Sequence, residues 1–259
     1  MDLQTIISDL KVKILGIQGS PVKPPNNTEY MLEEALKAAE AVAPGRVETE
    51  MIRLYELDIR ECTGCDTCMR WVNKLQREVG FDVMPVPMEK IGREYNCSVK
   101  DDMVIVRRKM LETDGLIISV PVYIATMPSR VKMWIDRSRT FIHDFRMMGR
   151  PAGVMSVAFY RNTGQDTTIQ DVARSLMSMG YRPVSRGANT VSTLEGSGIP
   201  IRETRLAVSK DEMGMHAVRT VGRKVGMAAL ERKAGLAVLR EVLGSELDRG
   251  VAVIVPGSR

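Results

Sequence analysis

The sequence predicts an α/β fold, a doubly wound parallel sheet with helices on both faces. Three observations predict it. Short apolar runs of strand length recur along the chain, amphipathic stretches at helical spacing separate them, and Gly, Pro and Asp punctuate the joins. Alternation of this kind argues for parallel strands connected by right-handed helical crossovers.

Lys11 to Gln18 carries Val12, Ile14, Leu15 and Ile17 and ends at Gly19-Ser20. Such a run suits a strand buried on both faces. Leu32, Ala35, Leu36, Ala39 and Ala43 then follow helical spacing until Pro44-Gly45 stops the helix. Val47 to Leu54 reads as a second strand. From Asp58 to about Lys100 the chain reads as a long irregular stretch that holds the cysteines. Asp101 is placed to cap a helix with Met103, Val106 and Met110 on one side. Leu116 to Val120 is a strand, Val131, Trp134 and Ile135 belong to a helix, and Gly153 to Tyr160 is a further strand. Ile169, Val172, Ala173, Leu176 and Met177 form a helical stripe closed by Gly180, and Pro183 to Asn189 is a weaker last strand.

After Thr190 the pattern changes. Residues 191–208 read as loop, and Ser209-x-x-Glu212 is a capping box before a long helix to about Ala234. A short helix and an apolar stretch, Val251 to Val255, would follow. With no internal repeat and no low-complexity linker, the chain reads as one domain. Its core spans 11–190, a cysteine-containing insertion lies at about 58–100, and a helical C-terminal extension covers 191–259.

Bulk composition narrows the function classes. A chain of 259 residues with 44% hydrophobic and 27% charged residues buries a full core without disulfide or metal staples. The net charge of +5 arises from basic residues scattered among acidic ones, and only 5% of residues are aromatic, so a nucleic-acid footprint is not expected. The longest apolar stretch, Leu116 to Met127, is interrupted by Pro121 and falls short of the ~18 residues of a membrane span. Met1 to Leu10 lacks the basic start of a secretory signal. The expectation is a soluble cytoplasmic protein that meets neither nucleic acid nor membrane. Two histidines without a His-Glu-x-x-His pattern exclude histidine-rich metal hydrolases, and the 18 methionines read as adaptable core filler.

The sharpest local signal is Cys62-x-x-Cys65-x-x-Cys68. In a cytosolic chain, clustered cysteines point to metal binding or redox chemistry rather than disulfides. Two intervening residues let neighbouring thiolates converge on one inorganic centre, as in the runs that ligate iron–sulfur clusters. Cys97 is the remaining cysteine and the candidate fourth ligand. A closed four-thiolate zinc site and plain or redox-active thiols stay open beside the iron–sulfur reading.

The first loop, Gly19 to Thr28, is neither a Walker loop nor Gly-x-Gly-x-x-Gly. It offers the Ser20 and Thr28 hydroxyls and the Asn27 amide at a helix N-terminus, where free N–H groups and the helix dipole favour a phosphate monoester. Capping of a turn and a helix would use the same residues.

Four segments together resemble the NADPH-dependent FMN reductase group of flavodoxin-like proteins. They are Gly19-Ser20-Pro21 with Asn27-Thr28, Asp114 to Tyr123, Lys132 to Arg137, and Thr163-Gly164-Gln165-Asp166-Thr167-Thr168, in the family's order. The resemblance covers about residues 11–190. It implies a flavodoxin-like five-stranded sheet of order 2-1-3-4-5, and FMN as cofactor. Ser20, Asn27 and Thr28 would hold the phosphate. Pro121, Val122, Tyr123 and Ile124 would line the isoalloxazine through main-chain amides, and Gly164 and Gln165 would border its pyrimidine edge. Pro24-Pro25 stands where the family has a glycine-containing turn.

The cysteine run resembles that of the iron–sulfur flavoproteins, in which the fourth cysteine precedes an Asp-Asp-Met; here Cys97 precedes Asp101-Asp102-Met103. The resemblance implies a 4Fe–4S cluster on Cys62, Cys65, Cys68 and Cys97. It departs in spacing, since 28 residues separate Cys68 from Cys97 where the family has a handful. Trp71 to Asn96 reads as an insertion that either loops out or displaces Cys97. The function implied is electron transfer between FMN and the cluster, because a flavin accepts two electrons and releases them singly while a cluster passes one at a time. No side chain is expected to act as general acid or base. NAD(P)H, ferredoxin or a quinone would be the redox partner, and the resemblance implies a homodimer or homotetramer. A cluster-free NAD(P)H-dependent FMN or quinone reductase, and a non-catalytic flavodoxin-like protein with a structural zinc site, are the alternatives.

Overall fold

Leu15 and Ile17 on the first strand and Leu116, Ile117 and Ile118 on the third are fully buried, as a strand covered on both faces requires. The computed structural model describes residue 8 and residues 10–79, 97–142 and 146–243. Along them run β1 (Val12–Gln18), α1 (Asn27–Glu40), β2 (Val47–Arg53), α2 (Thr67–Val79), α3 (Met103–Glu112), β3 (Gly115–Pro121), α4 (Ser129–Arg137), β4 (Pro151–Ala158), α5 (Gln165–Ser178), β5 (Arg182–Pro183), β6 (Ala188–Val191) and α6 (Glu212–Leu243).

All pairings are parallel, and the order is β2-β1-β3-β4-β5, with β6 also on β4. This is the flavodoxin-like order 2-1-3-4-5. The expected last strand, Pro183 to Asn189, is split into β5 and β6; between them Gly187 has φ +94°, and a Cβ there would press on the Val154 carbonyl at 2.8 Å. One face of the sheet packs α3, α4 and α5 through Met103, Trp134, Ile169 and Leu176. The other packs α1 and α6 through Leu32, Leu36, Val218, Val221 and Val225. Within that second layer Gly222 and Gly226 bring α6 onto α1, where a Cβ at Gly222 would strike the Ala35 carbonyl.

Several local expectations are corrected. The cysteine stretch is not wholly irregular, since α2 begins at Thr67 directly after Cys65-Asp66. Residues 80–96, most of the expected insertion, lie outside the described residues. The cap of α6 is Asp211 rather than Ser209: its carboxylate accepts from Gly214 N at 3.0 Å and from Val191 N at 3.0 Å, tying helix to sheet. Finally, α6 runs unbroken to Leu243, where a stop near Ala234 and a separate short helix were expected; the Val251–Val255 stretch lies outside the described residues. The cap position of α3 is Asp102, whose side chain makes no capping bond, rather than Asp101; from one residue earlier Asp101 accepts from Met103 N at 3.1 Å. Among the described residues no helix is long and apolar enough to cross a membrane.

Candidate functional site

Because every strand runs the same way, the loops after β1, β2, β3 and β4 emerge at one edge of the sheet, where ligands of open α/β sheets bind. The loop after β1 meets the start of α1. Asn26, not Ser20 or Thr28, is the cap of this helix: its Oδ1 accepts from Glu29 N at 2.9 Å and from Gln18 Nε2 at 3.2 Å. Ser20 Oγ accepts from Val22 N at 3.1 Å. Asn27 Oδ1 accepts from Val208 N at 3.1 Å, which fastens the C-terminal segment to this loop. The Pro24–Pro25 peptide bond is cis.

These residues form one end of a cleft of about 370 Å³. Ser20, Asn26, Asn27 and Thr28, joined by Arg205, make the polar end, while Pro121, Val122, Tyr123, Val157, Ala158 and Phe159 make the apolar wall. A flat apolar ring with an anionic tail matches that polarity. Of the residues singled out in the sequence, Ser20, Asn27, Thr28, Pro121, Val122 and Tyr123 line the cleft; Ile124, Gly164 and Gln165 do not. Asn26, Phe159 and Arg205 were not anticipated.

The main chain here differs from what the resemblance implies. Val122 N already donates to Val157 O at 2.9 Å and Tyr123 N to Thr126 O at 2.8 Å, so both amides serve the protein itself. The Tyr123–Thr126 pairing closes a turn in which Ile124 (φ +47°) and Ala125 (φ +63°) are both left-handed. Non-glycine residues rarely hold that region except where the surroundings impose it. Gly164 packs against this turn, and a Cβ there would lie 2.5 Å from the Ala125 carbonyl oxygen. Gln165 is buried, donating to Tyr160 O at 2.8 Å and accepting from Thr163 N at 2.9 Å; it shapes the fourth loop rather than facing the cleft. A second cleft, about 480 Å³ and lined by Asp166, Ile169, Pro183 and Arg186 among others, shares no residue with the first.

The cysteine loop follows β2 at the same edge. Cys62 and Cys65 are exposed, Cys68 and Cys97 half-buried, and all four are free. Gly64 and Asp66, between the cysteines of the triplet, adopt positive φ. Cys65 Sγ lies 2.8 Å from Ser98 Oγ and 3.2 Å from Thr67 Oγ1. These hydrogen bonds, Ser98's first, bring its thiol down to about 6. Burial pushes the Cys68 thiol up; the Met69 N–H and Arg139 oppose this, and the charges of Cys97 and Cys62 add to it. The chain therefore brings Ser98, the neighbour of Cys97, back to the triplet despite the long spacing. As placed, no three of the described His, Cys, Asp and Glu side chains surround a single metal ion.

The root of this loop is held through the main chain. Asp102 Oδ2 accepts from Asp58 N and Asp101 Oδ2 from Arg60 N, both at 2.9 Å. From α4, Arg130 donates to Leu57 O and Arg137 to Arg60 O, both at 2.8 Å. Arg137 also donates to both Asp101 oxygens and lies 3.6 Å from Cys97 Sγ through Nη2. Arg107, from α3, is 5% exposed. Burial lowers its pKa, while the charge of the Cys97 thiol and a hydrogen bond to it act the other way.

A 2-1-3-4-5 parallel sheet with a cleft over its carboxyl edge defines a flavodoxin-like protein, and the family match makes it a flavin-dependent oxidoreductase. The chain is a member of the NADPH-dependent FMN reductase family, whose model matches residues 12–193, and falls within its iron–sulfur flavoproteins. An iron–sulfur flavoprotein of Methanocaldococcus jannaschii is 29% identical over 214 residues, 83% of this chain and 95% of that one. One from Methanosarcina thermophila is 30% identical over 163 residues, 62% of this chain and 71% of that one. The crystal structure of RosB with bound 8-demethyl-8-formylriboflavin-5'-phosphate superposes with a TM-score of 0.60, covering 96% of this chain and 90% of that chain at 16% identity, and shares the fold.

Proposed function

We propose that this oxidoreductase seats FMN in the cleft, carries a 4Fe–4S cluster on Cys62, Cys65, Cys68 and Cys97, and passes electrons between the two. NAD(P)H (the family is named for NADPH), ferredoxin or a quinone would be its redox partner. The carrying observation is the 2.8 Å approach of Cys65 Sγ to Ser98 Oγ, which brings the distant end of the cysteine sequence beside the triplet. FMN exchanges electrons in pairs or singly, and a cluster exchanges them one at a time.

The protein's part is to bind and orient. The Asn26-capped N-terminus of α1 with Ser20, Asn27, Thr28 and Arg205 would hold the phosphate, and Pro121, Val122, Tyr123 and Phe159 would exclude water from one ring face. No side chain lining the cleft is needed as an acid or base. Tyr123 and Ile124 beside the cleft are 43% and 98% exposed, and Phe159 and Tyr160 stack edge-to-face there at 5.4 Å. This apolar rim supports a homodimer or homotetramer, which light scattering would register.

The test is anaerobic purification with analysis of flavin, iron and zinc. Flavin bands with broad additional absorption, and iron with sulfide in the protein, are expected. Colourless protein containing zinc would sink the reading. Cys65→Ser should then lose iron while keeping FMN; retained iron would mean the ligands are assigned wrongly.

A further inference from the structure

Two guanidiniums are buried behind Cys97. The Arg137 side chain is 1% exposed, and its carboxylate partner, Asp101, is 0% exposed. Arg107 is buried beside them, and its Nη1 finds no hydrogen-bond partner among the described residues. Among the described residues, Cys97, Arg137 and Asp101 act on Arg107. Arg137 repels it, and both Asp101 oxygens are already bound to Arg137. Two cations thus share one carboxylate, and of the pair Arg137 reaches the thiol, its Nη2 lying 3.6 Å from Cys97 Sγ. A buried charge without a counter-ion is strongly unfavourable, so this pocket is built for an anion on the Cys97 side.

We propose that Arg107, supported by Arg137, is a positioning residue that sets the reduction potential of a cluster bound through Cys97. This rests on the four-cysteine reading above. When one electron enters such a cluster its net charge falls by one, and no proton or bond need change. A fixed positive charge at the Cys97 corner stabilises the reduced, more negative state over the oxidised one. The flavin cleft shares none of these residues, so its potential is left alone.

The experiment compares Arg107→Gln with Arg107→Lys in anaerobic holoprotein. The cluster midpoint is followed by electron paramagnetic resonance during a dithionite titration, with the flavin midpoint and iron per chain read on the same samples. Arg107→Gln, which loses the charge, should make cluster reduction at least about tenfold less favourable, ~59 mV for one electron, with the flavin unmoved. Arg107→Lys, which keeps the charge, should stay near the unsubstituted value. Loss of iron from Arg107→Gln alone, with FMN retained, supports the same role. The proposal is overturned if the two variants behave alike, whether unchanged, equally shifted, equally stripped of iron or equally misfolded, or if the flavin moves with the cluster. Iron absent from the unsubstituted protein would instead bring down the four-cysteine reading, and this proposal with it.

Discussion

Arg137 grips Asp101 with both ends of its guanidinium, Nη1 at 2.6 Å from Oδ2 and Nη2 at 2.9 Å from Oδ1. The same carboxylate also receives Arg60 N and Met103 N, so one buried pair joins α4, α3 and the cysteine loop. Removing one partner of such a pair strands the other charge. Arg137→Ala should therefore destabilise the protein by about 3–5 kcal/mol in urea unfolding. A loss below about 1 kcal/mol would mean that Asp101 finds other company.

The same pair has a pH signature. Burial alone would raise the Asp101 pKa, but Arg137 and the Arg60 and Met103 N–H groups outweigh it and hold it below the usual value. A carboxyl depressed on folding contributes stability that is full above its unfolded pKa of about 4. That contribution is lost as pH falls through the lower folded value. The stability gap between the native protein and Asp101→Asn should thus be widest near neutral pH and narrow below about pH 4. An equal gap at both ends of the range would contradict the assignment.

Two glycines of α6 should respond in opposite directions. At Gly222 a Cβ would meet backbone, the Ala35 carbonyl, which cannot swing aside. Gly222→Ala should lower thermal stability by about 1–3 kcal/mol through overpacking, despite the better helix propensity of alanine. Gly235 has nothing within 4 Å of a built Cβ, so Gly235→Ala should stabilise by roughly 0.5–1 kcal/mol. If both variants gain stability, α6 does not seat on α1 as described.

In iron-free protein the four thiols should differ in reactivity. Cys65 is exposed and held at about 6, whereas Cys68 is half-buried and raised. Since the thiolate is the nucleophile, iodoacetamide at pH 7 should label Cys65 well before Cys68. Peptide mapping of a short exposure checks it, and faster labelling of Cys68 would refute the local geometry.

The first four strands were legible because buried strands and amphipathic helices have distinct periods, whereas the expected last strand, Pro183 to Asn189, is broken into β5 and β6. What escaped was set by contacts distant in sequence. In Asn26-Asn27-Thr28 three consecutive polar residues can all cap; only the fold shows that Asn26 reaches Glu29 N while Asn27 turns to Val208, 181 residues away. Ser209-x-x-Glu212 fits the capping pattern, yet Asp211 takes the role because it also answers Val191 N. α2 hid behind its charge, although no Gly or Pro interrupts Thr67–Val79. Arg205 sits in an irregular stretch with no period to betray it. Arg107 did leave a trace: it follows Val106 and lies four residues from Met103, close to the buried stripe of α3.

The segment from Leu57 to Arg60 is pinned by Asp101, Asp102, Arg130 and Arg137 without any thiol taking part. That makes the mount independent of the proposed cluster. A zinc finger collapses when its metal leaves because metal binding is its folding energy; here the anchoring is already in place. Iron and sulfide should accordingly be removable and restorable under native conditions, with reconstitution proceeding as docking onto a standing scaffold rather than as refolding.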